Sequence, residues 1–179
     1  MGKSIVILSA SPRKSGNSDL LCDQFMQGAL DAGNQVEKIF LANRKIAYCF
    51  GCEHCQQNDG KCIHNDDMST ILEKLIIADV IVMATPVYFY TMNAQMKTLI
   101  DRTVAQYTKL KNKVFYFIVT AADNNKQAMD RTIEGFRGFI DCLEGAKEAG
   151  ILYGTGVWKK GEIVGNPAMK LANELGKHS

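Results

Sequence analysis

Ser9-Ala10-Ser11-Pro12-Arg13-Lys14-Ser15-Gly16-Asn17-Ser18 stands between an apolar run of strand length, Ile5-Val6-Ile7-Leu8, and a stretch of helical period that begins at Leu20. A strand, a short loop of hydroxyls and glycine, then a helix is the opening unit of an open parallel α/β sheet. The loop supplies hydroxyls from Ser11, Ser15 and Ser18, the guanidinium of Arg13, the amide of Asn17, and backbone N–H groups aimed by Gly16 and the helix start. Ser9, the last strand residue, is counted with this set. A helix N-terminus carries unpaired N–H donors and a favourable dipole, so these groups suit a phosphomonoester.

The same stretch excludes other nucleotide chemistries. No Gly-x-x-x-x-Gly-Lys-Ser/Thr is present, which removes a nucleoside-triphosphatase. Gly154-Thr155-Gly156 comes too late in the chain and lacks the third glycine of a dinucleotide fingerprint, so a mononucleotide is the better ligand. A receiver-type signalling domain needs acidic residues at the end of the first strand to bind magnesium, and Ser9-Ala10-Ser11 has none.

Working outward, runs of strand length alternate with helical periodicity. Five strands are expected, at Ser4–Ser9, Gln35–Leu41, Val80–Ala84, Val114–Thr120 and Gly150–Tyr153. The first helix is expected to take Ser18 as N-cap, bury Leu20, Leu21, Phe25 and Leu30, and end at Gly33. The second opens near Asp66 or Asp67 and turns Met68, Ile71, Leu72 and Leu75 inward. A third runs from about Asn93 through Met96, Leu99, Ile100 and Val104. A fourth covers about 126–143 with Met129, Ile133, Phe136 and Ile140 inward, and Asn166-Pro167 opens a last one ending at Gly176. The fold class that follows from this alternation is α/β: a five-stranded parallel sheet with helices on both faces.

Residues 1–179 fit one domain, and 46% hydrophobic content with 22% charged residues and three prolines describes a compact chain. Net charge is +2 with the basic residues dispersed, which speaks against nucleic acid and membrane surfaces as partners. Lys109-Leu110-Lys111-Asn112-Lys113 reads as a solvated turn. The apolar start is too short for a signal peptide or a membrane helix. Six cysteines without a secretory signal point to a reducing, cytoplasmic setting.

Two further loops end on the same sheet edge as the phosphate loop: Ala84-Thr85-Pro86-Val87-Tyr88-Phe89-Tyr90 and Thr120-Ala121-Ala122-Asp123-Asn124. An isoalloxazine is flat and apolar on its faces with acceptors on its rim, so it wants apolar walls and backbone donors. Pro86 to Phe89 offer both, although each aromatic alone could equally cover hydrophobic surface.

Ser-Pro-Arg with Gly-Asn-Ser after the first strand, Asp66-Asp67-Met68, Thr85-Pro86-Val87-Tyr88-Phe89, and Lys97 with Ile100-Asp101-Arg102 together resemble the NADPH-dependent FMN reductase and iron–sulfur flavoprotein families. The resemblance covers most of the chain and is least distinctive in the final third. It implies a flavodoxin-like, doubly wound five-stranded parallel sheet of order 2-1-3-4-5 and FMN bound non-covalently, with Ser11, Arg13, Asn17 and Ser18 at the phosphate, Pro86, Val87, Tyr88 and Phe89 along the ring, and Thr120, Ala121 and Ala122 at the remaining edge. It also implies a homodimer or homotetramer whose neighbouring subunit helps roof the flavin. The activity expected is FMN-dependent transfer of electrons from NAD(P)H to a flavin, quinone or similar small-molecule acceptor, FMN itself carrying the chemistry. The alternative is an electron carrier between redox partners, with a ferredoxin-type protein as one of them. Carriers of this fold are usually strongly acidic, which this chain is not.

About residues 43–65 interrupt the alternation with an insertion too long and too rich in Cys, Gly and Asn for a routine connection. Cys49, Cys52, Cys55 and Cys62 give the spacing C-x2-C-x2-C-x6-C, which can enclose a [4Fe–4S] centre and resembles the compact motif of iron–sulfur flavoproteins. Three other states stay open: zinc held by Cys52, Cys55 and Cys62 with Cys49 or His64, thiols oxidised in pairs, and plain reduced thiols. Cys22 and Cys142 are expected to be small core residues.

Overall fold

The structure, a computed structural model, describes residues 2–179. Its elements in chain order are β1 (Ser4–Ser9), α1 (Asn17–Asp31), β2 (Gln35–Phe40), α2 (His54–Gln57), α3 (Met68–Ile77), β3 (Val80–Tyr88), β4 (Thr91–Met92), α4 (Ala94–Arg102), β5 (Val114–Thr120), α5 (Asp130–Ile140), β6 (Lys147–Gly154) and α6 (Pro167–Lys177).

Five strands pair in parallel in the order β2-β1-β3-β5-β6, and β4 adds an antiparallel hairpin to the end of β3. This is the expected 2-1-3-4-5 sheet with one short strand added. Side chains alternate across the strands and build two cores. Val6, Leu8, Ile81, Met83, Phe115 and Phe117 face α3, α4 and α5 through residues such as Leu72, Met96 and Phe136. Ile5, Ile7, Val80, Val82 and Ile118 face α1 and α6 through Leu21, Phe25 and Ala172.

The helices α1 and α6 lie backbone to backbone. A Cβ on Gly28 would stand 1.9 Å from the Asn173 carbonyl oxygen, and one on Gly176 would stand 2.0 Å from that of Phe25. No side chain fits at either point, so these glycines set the approach that seals one face of the sheet.

Several expected boundaries move, each for a local reason. Gly16, not Ser18, is the N-cap of α1, and its inward face is Leu21, Cys22, Phe25 and Ala29. Leu30 is exposed and Leu20 half-buried, because the tight contact with α6 turns the apolar stripe toward the glycine side. Gly33 does adopt the left-handed conformation, φ +84°, just beyond the helix. β3 continues past Ala84 to Tyr88 because β4 pairs with its extension. The third expected helix ends at Arg102 and loosens into 3₁₀ turns, leaving Val104 exposed. The fourth divides into a 3₁₀ turn over Lys126–Met129, capped by the Asn125 side chain, and α5, which stops at Ile140. β6 begins at Lys147, three residues before the expected start. Asn166 caps α6 as expected through Ala168 N–H, with Pro167 in its first turn, and the helix continues one residue past Gly176. Cys22 is core. Cys142 is exposed, because it falls beyond the end of α5 in a turn to solvent, and its thiol donates to the Gly138 carbonyl.

Candidate functional site

Strand order reverses between β1 and β3, since the chain crosses from β1 to β2 on one side and returns to β3 on the other. The carboxyl ends of these neighbouring strands therefore open a crevice. Asn93, the N-cap of α4, fixes its base. Its side-chain amide donates to the Ala10 carbonyl, its oxygen accepts from Met96 N–H at 3.2 Å, and its own N–H donates to the Thr85 hydroxyl at 3.1 Å. Thr85 and Asn93 are both buried, so the two loops are locked together at the point of reversal.

Above this joint, the loop after β1 folds on itself. Ser11 Oγ donates to the Arg13 carbonyl at 2.9 Å and accepts from Arg13 N–H at 3.2 Å, and Gly16 N–H donates to the same carbonyl at 2.9 Å. Only glycine fits at 16, where a Cβ would stand 2.4 Å from Ser11 Oγ. Ser15 takes the left-handed conformation at φ +55°, and its N–H donates to Asp19 Oδ2 at 2.9 Å. Ser9 Oγ donates inward to Asp19 Oδ1 at 2.8 Å.

The crevice is a cavity of about 710 Å³. Of the expected residues, Ser11, Arg13, Asn17, Ser18, Pro86, Val87, Tyr88, Phe89, Thr120, Ala121 and Ala122 line it. Ser9, Ser15 and Gly16 shape the loop from behind. Ser18 Oγ at the wall is buried with no hydrogen-bond partner, a costly state for a hydroxyl unless a ligand completes it. Asn17 is more committed than its residue type implies: its amide donates to the Lys159 carbonyl at 2.9 Å and its oxygen accepts from Ile163 N–H at 3.2 Å. Arg13 donates to the Trp158 carbonyl at 3.3 and 3.4 Å, so its guanidinium stays near the mouth.

Those partners belong to a loop after β6 that the sequence reading did not place at the site. Val157 and Trp158 line the cavity, and Trp158 is 74% exposed. Glu162 holds the loop closed, accepting from Trp158 N–H at 2.6 Å and Lys159 N–H at 2.8 Å. These bonds, that from Lys159 foremost, keep its carboxyl below the ordinary glutamate value. Asp123 and Tyr90 join the lining as well. Tyr90 stands in the expected aromatic run, whereas Trp158 carried no signal, being a lone tryptophan in an irregular stretch.

A second cavity of about 180 Å³ is lined by all four clustered cysteines together with Phe50, His64 and Arg102. The thiols stand around its wall; among the described residues, no three Cys, His, Asp or Glu side chains are gathered at metal-binding separation. Arg102 is 2% exposed and ties the insertion to the body. It donates to the Ala47 carbonyl at 2.6 Å, to Asp66 Oδ2 at 2.7 Å and Oδ1 at 3.0 Å, and to Cys62 Sγ at 3.4 Å. Burial alone would raise the Asp66 carboxyl, but the bonds from Arg102, Ala47 N–H and Met68 N–H outweigh it and hold the group below the ordinary range. His64 Nε2 is buried without a partner, with its ring 4.4 Å from that of Phe50.

A doubly wound sheet whose switch-point crevice pairs a hydroxyl-rich helix start with an apolar wall defines the flavodoxin-like class of mononucleotide-binding proteins. Residues 4–138 match the family described as NADPH-dependent FMN reductase, and the chain belongs to it as an FMN-dependent oxidoreductase. Among similar proteins, an iron–sulfur flavoprotein of Archaeoglobus fulgidus is 34% identical over 176 residues, 97% of this chain and 77% of that protein. One of Methanosarcina thermophila is 33% identical over 136 residues, 74% of this chain and 70% of that one. Of solved structures, the Trp repressor binding protein from Bacillus subtilis superposes with a TM-score of 0.73 at 24% identity, covering 97% of this chain and 99% of that one. The NAD(P)H:quinone oxidoreductase from Methanothermobacter marburgensis superposes at 0.74 and 16%, covering 99% and 97%. Both share the fold.

Proposed function

We propose that FMN lies in the larger cavity with its phosphate against Ser11, Arg13, Asn17 and Ser18 and its ring between Pro86–Phe89 and Thr120–Ala122, and that electrons pass there from NAD(P)H to a flavin, quinone or similar small acceptor. The observation that carries this is the buried, unpartnered Ser18 Oγ at the wall of a cavity of about 710 Å³. When bound, FMN supplies the electron chemistry, taking two electrons from reduced nicotinamide and giving them up again. The residues bind and orient it. The start of α1 would offer its unpaired N–H groups to the phosphate, Pro86 and Val87 give a dry wall, and the Thr120–Ala122 loop closes the far edge. The mouth beside Tyr88, Phe89 and Trp158 admits the second substrate, and these exposed aromatic residues suit the roof of a neighbouring subunit in a homodimer or homotetramer. The proposed cytoplasmic setting rests on the six cysteines, which suit a reducing compartment; separately, among the described residues no helix is long and apolar enough to cross a membrane.

Anaerobic titration of flavin-loaded protein with NADH and NADPH tests the reading. Loss of the flavin absorbance on adding either nicotinamide, and its return with a quinone, is the expected outcome. Protein that takes up no FMN refutes it.

A second reading is carried by the smaller cavity and by relatives named as iron–sulfur flavoproteins. Four thiols around one space, with the Arg102 N–H aimed at Cys62 Sγ, fit a [4Fe–4S] centre held by Cys49, Cys52, Cys55 and Cys62. The protein would then also serve as a carrier toward a ferredoxin-type partner. Anaerobic purification with iron and acid-labile sulfide analysis decides it: four of each per chain supports the cluster, and zinc or no metal refutes it.

A further inference from the structure

We propose that Lys38 and Asp19 form a charge pair beneath the phosphate loop that sets how strongly the loop prefers a phosphorylated flavin to an unphosphorylated one. The inference rests on the placement of the FMN phosphate in that loop. Neither residue lines the cavity, so both act as positioning residues.

Asp19 sits in the first turn of α1 and is 4% exposed. A carboxylate there favours the helix dipole but repels a phosphate bound at the same helix end. The loop nevertheless depends on it. Asp19 Oδ2 accepts from the N–H of Ser15, whose φ of +55° is an uncommon conformation for a residue with a Cβ, and Oδ1 accepts from Ser9. The structure answers the repulsion from β2: Lys38 Nζ lies 3.0 Å from Asp19 Oδ1 and also bonds the half-exposed Asp23. Burial alone would lower the Lys38 ammonium value, but its bonds to Asp23 and Asp19 raise it above the ordinary one, so the cation is secure. Lys38, shared with Asp23, thus leaves the carboxylate free to pin Ser15 while offsetting part of its field at the phosphate.

The test compares dissociation constants of FMN and riboflavin, measured by quenching of flavin fluorescence, in the unmodified protein, Lys38→Met and Asp19→Asn. Their ratio reads the phosphate alone. Exposing the phosphate to the bare Asp19 charge should cut the preference for FMN by roughly tenfold in Lys38→Met. Asp19→Asn keeps an oxygen for Ser15 but removes a negative charge, so its preference should rise by about threefold or more. Opposite directions support the proposal, whereas a purely structural tie would lower the preference in both. An unchanged ratio in Lys38→Met, or a fall in Asp19→Asn, overturns it. Should Lys38→Met fail to fold by circular dichroism, Asp19→Asn decides alone: a rise supports, and no change or a fall overturns. Equal binding of FMN and riboflavin by the unmodified protein would instead overturn the phosphate placement itself.

Discussion

Ser18 Oγ has no hydrogen-bond partner among the described residues, and its cost should appear as a trade between stability and affinity. Removing a buried, unsatisfied hydroxyl relieves about 1 kcal/mol, whereas removing one that donates to a phosphate forfeits about 1.5–3 kcal/mol of binding. Ser18→Ala should therefore melt at the same or a higher temperature without flavin, yet bind FMN about tenfold or more weakly by fluorescence titration. A lower melting temperature without flavin would argue that the hydroxyl has a protein partner. Asp66 yields a second expectation at this scale. Its folded-state value lies below the ordinary 3.8, so it contributes stability that is fully present above that value and is lost as pH falls through the lowered one. The stability gap between the unmodified protein and Asp66→Asn, from urea unfolding, should be wide near pH 7 and close as the pH drops below about 4. That Ser11, Arg13, Asn17 and Ser18 line one cavity was legible because the residue types of the loop after β1 carry their chemistry on their faces. Lys38, Asn93 and Trp158 were not, because their importance comes from partners far off in sequence: Asn17 meets Lys159 across 142 residues, and no spacing rule spans that.

The hairpin of β3 and β4 shows what element-level patterning conceals. Phe89 and Tyr90 form its two-residue turn at φ +49° and +63°, positions normally given to Asn and Gly. Nothing in Tyr88-Phe89-Tyr90-Thr91 signals a turn, so the strand was expected to end at Ala84, and a two-residue β4 leaves no periodicity to detect. The major strands, by contrast, were legible because strands buried on both faces read as continuous apolar runs. Phe89 is 99% exposed at the cavity mouth and adds no packing to the fold, so burial does not offset the strain of this turn. Replacing Phe89-Tyr90 by Asn-Gly should stabilise the protein by about 1 kcal/mol in urea unfolding, from relief of the left-handed strain. It should also weaken FMN binding and slow NAD(P)H oxidation several-fold. A variant that loses stability would show the turn to be unstrained.

Across the whole molecule, α4 joins the two cavities. Its N-cap Asn93 fixes the switch point under the larger cavity and its last residue, Arg102, reaches Cys62 and Asp66 under the insertion. The nine residue steps from Asn93 to Arg102 set the two ends about 13.5 Å apart along its axis. Apart from the bond to Cys62, the insertion is placed by groups other than its thiols. Arg102 holds Asp66 and the Ala47 carbonyl, Asp66 accepts from Ala47 N–H, and Asp67 accepts from Lys45 N–H at 2.7 Å and donates its own N–H to the Lys45 carbonyl at 3.0 Å. Cys52 and Cys55 take no part in this clasp, and neither lines the larger cavity. Cys52→Ala with Cys55→Ala should abolish any bound iron while leaving the FMN dissociation constant within about twofold and the FMN-induced rise in melting temperature intact. Arg102→Met carries the opposite expectation, because it leaves Asp66 as a poorly compensated charge and frees both the insertion and the end of α4. That variant should lose about 3–5 kcal/mol in urea unfolding whether or not metal is present. If the cysteine pair weakened FMN binding more than twofold, the thiols themselves, and not the Arg102–Asp66 clasp alone, would be what couples the insertion to the larger cavity.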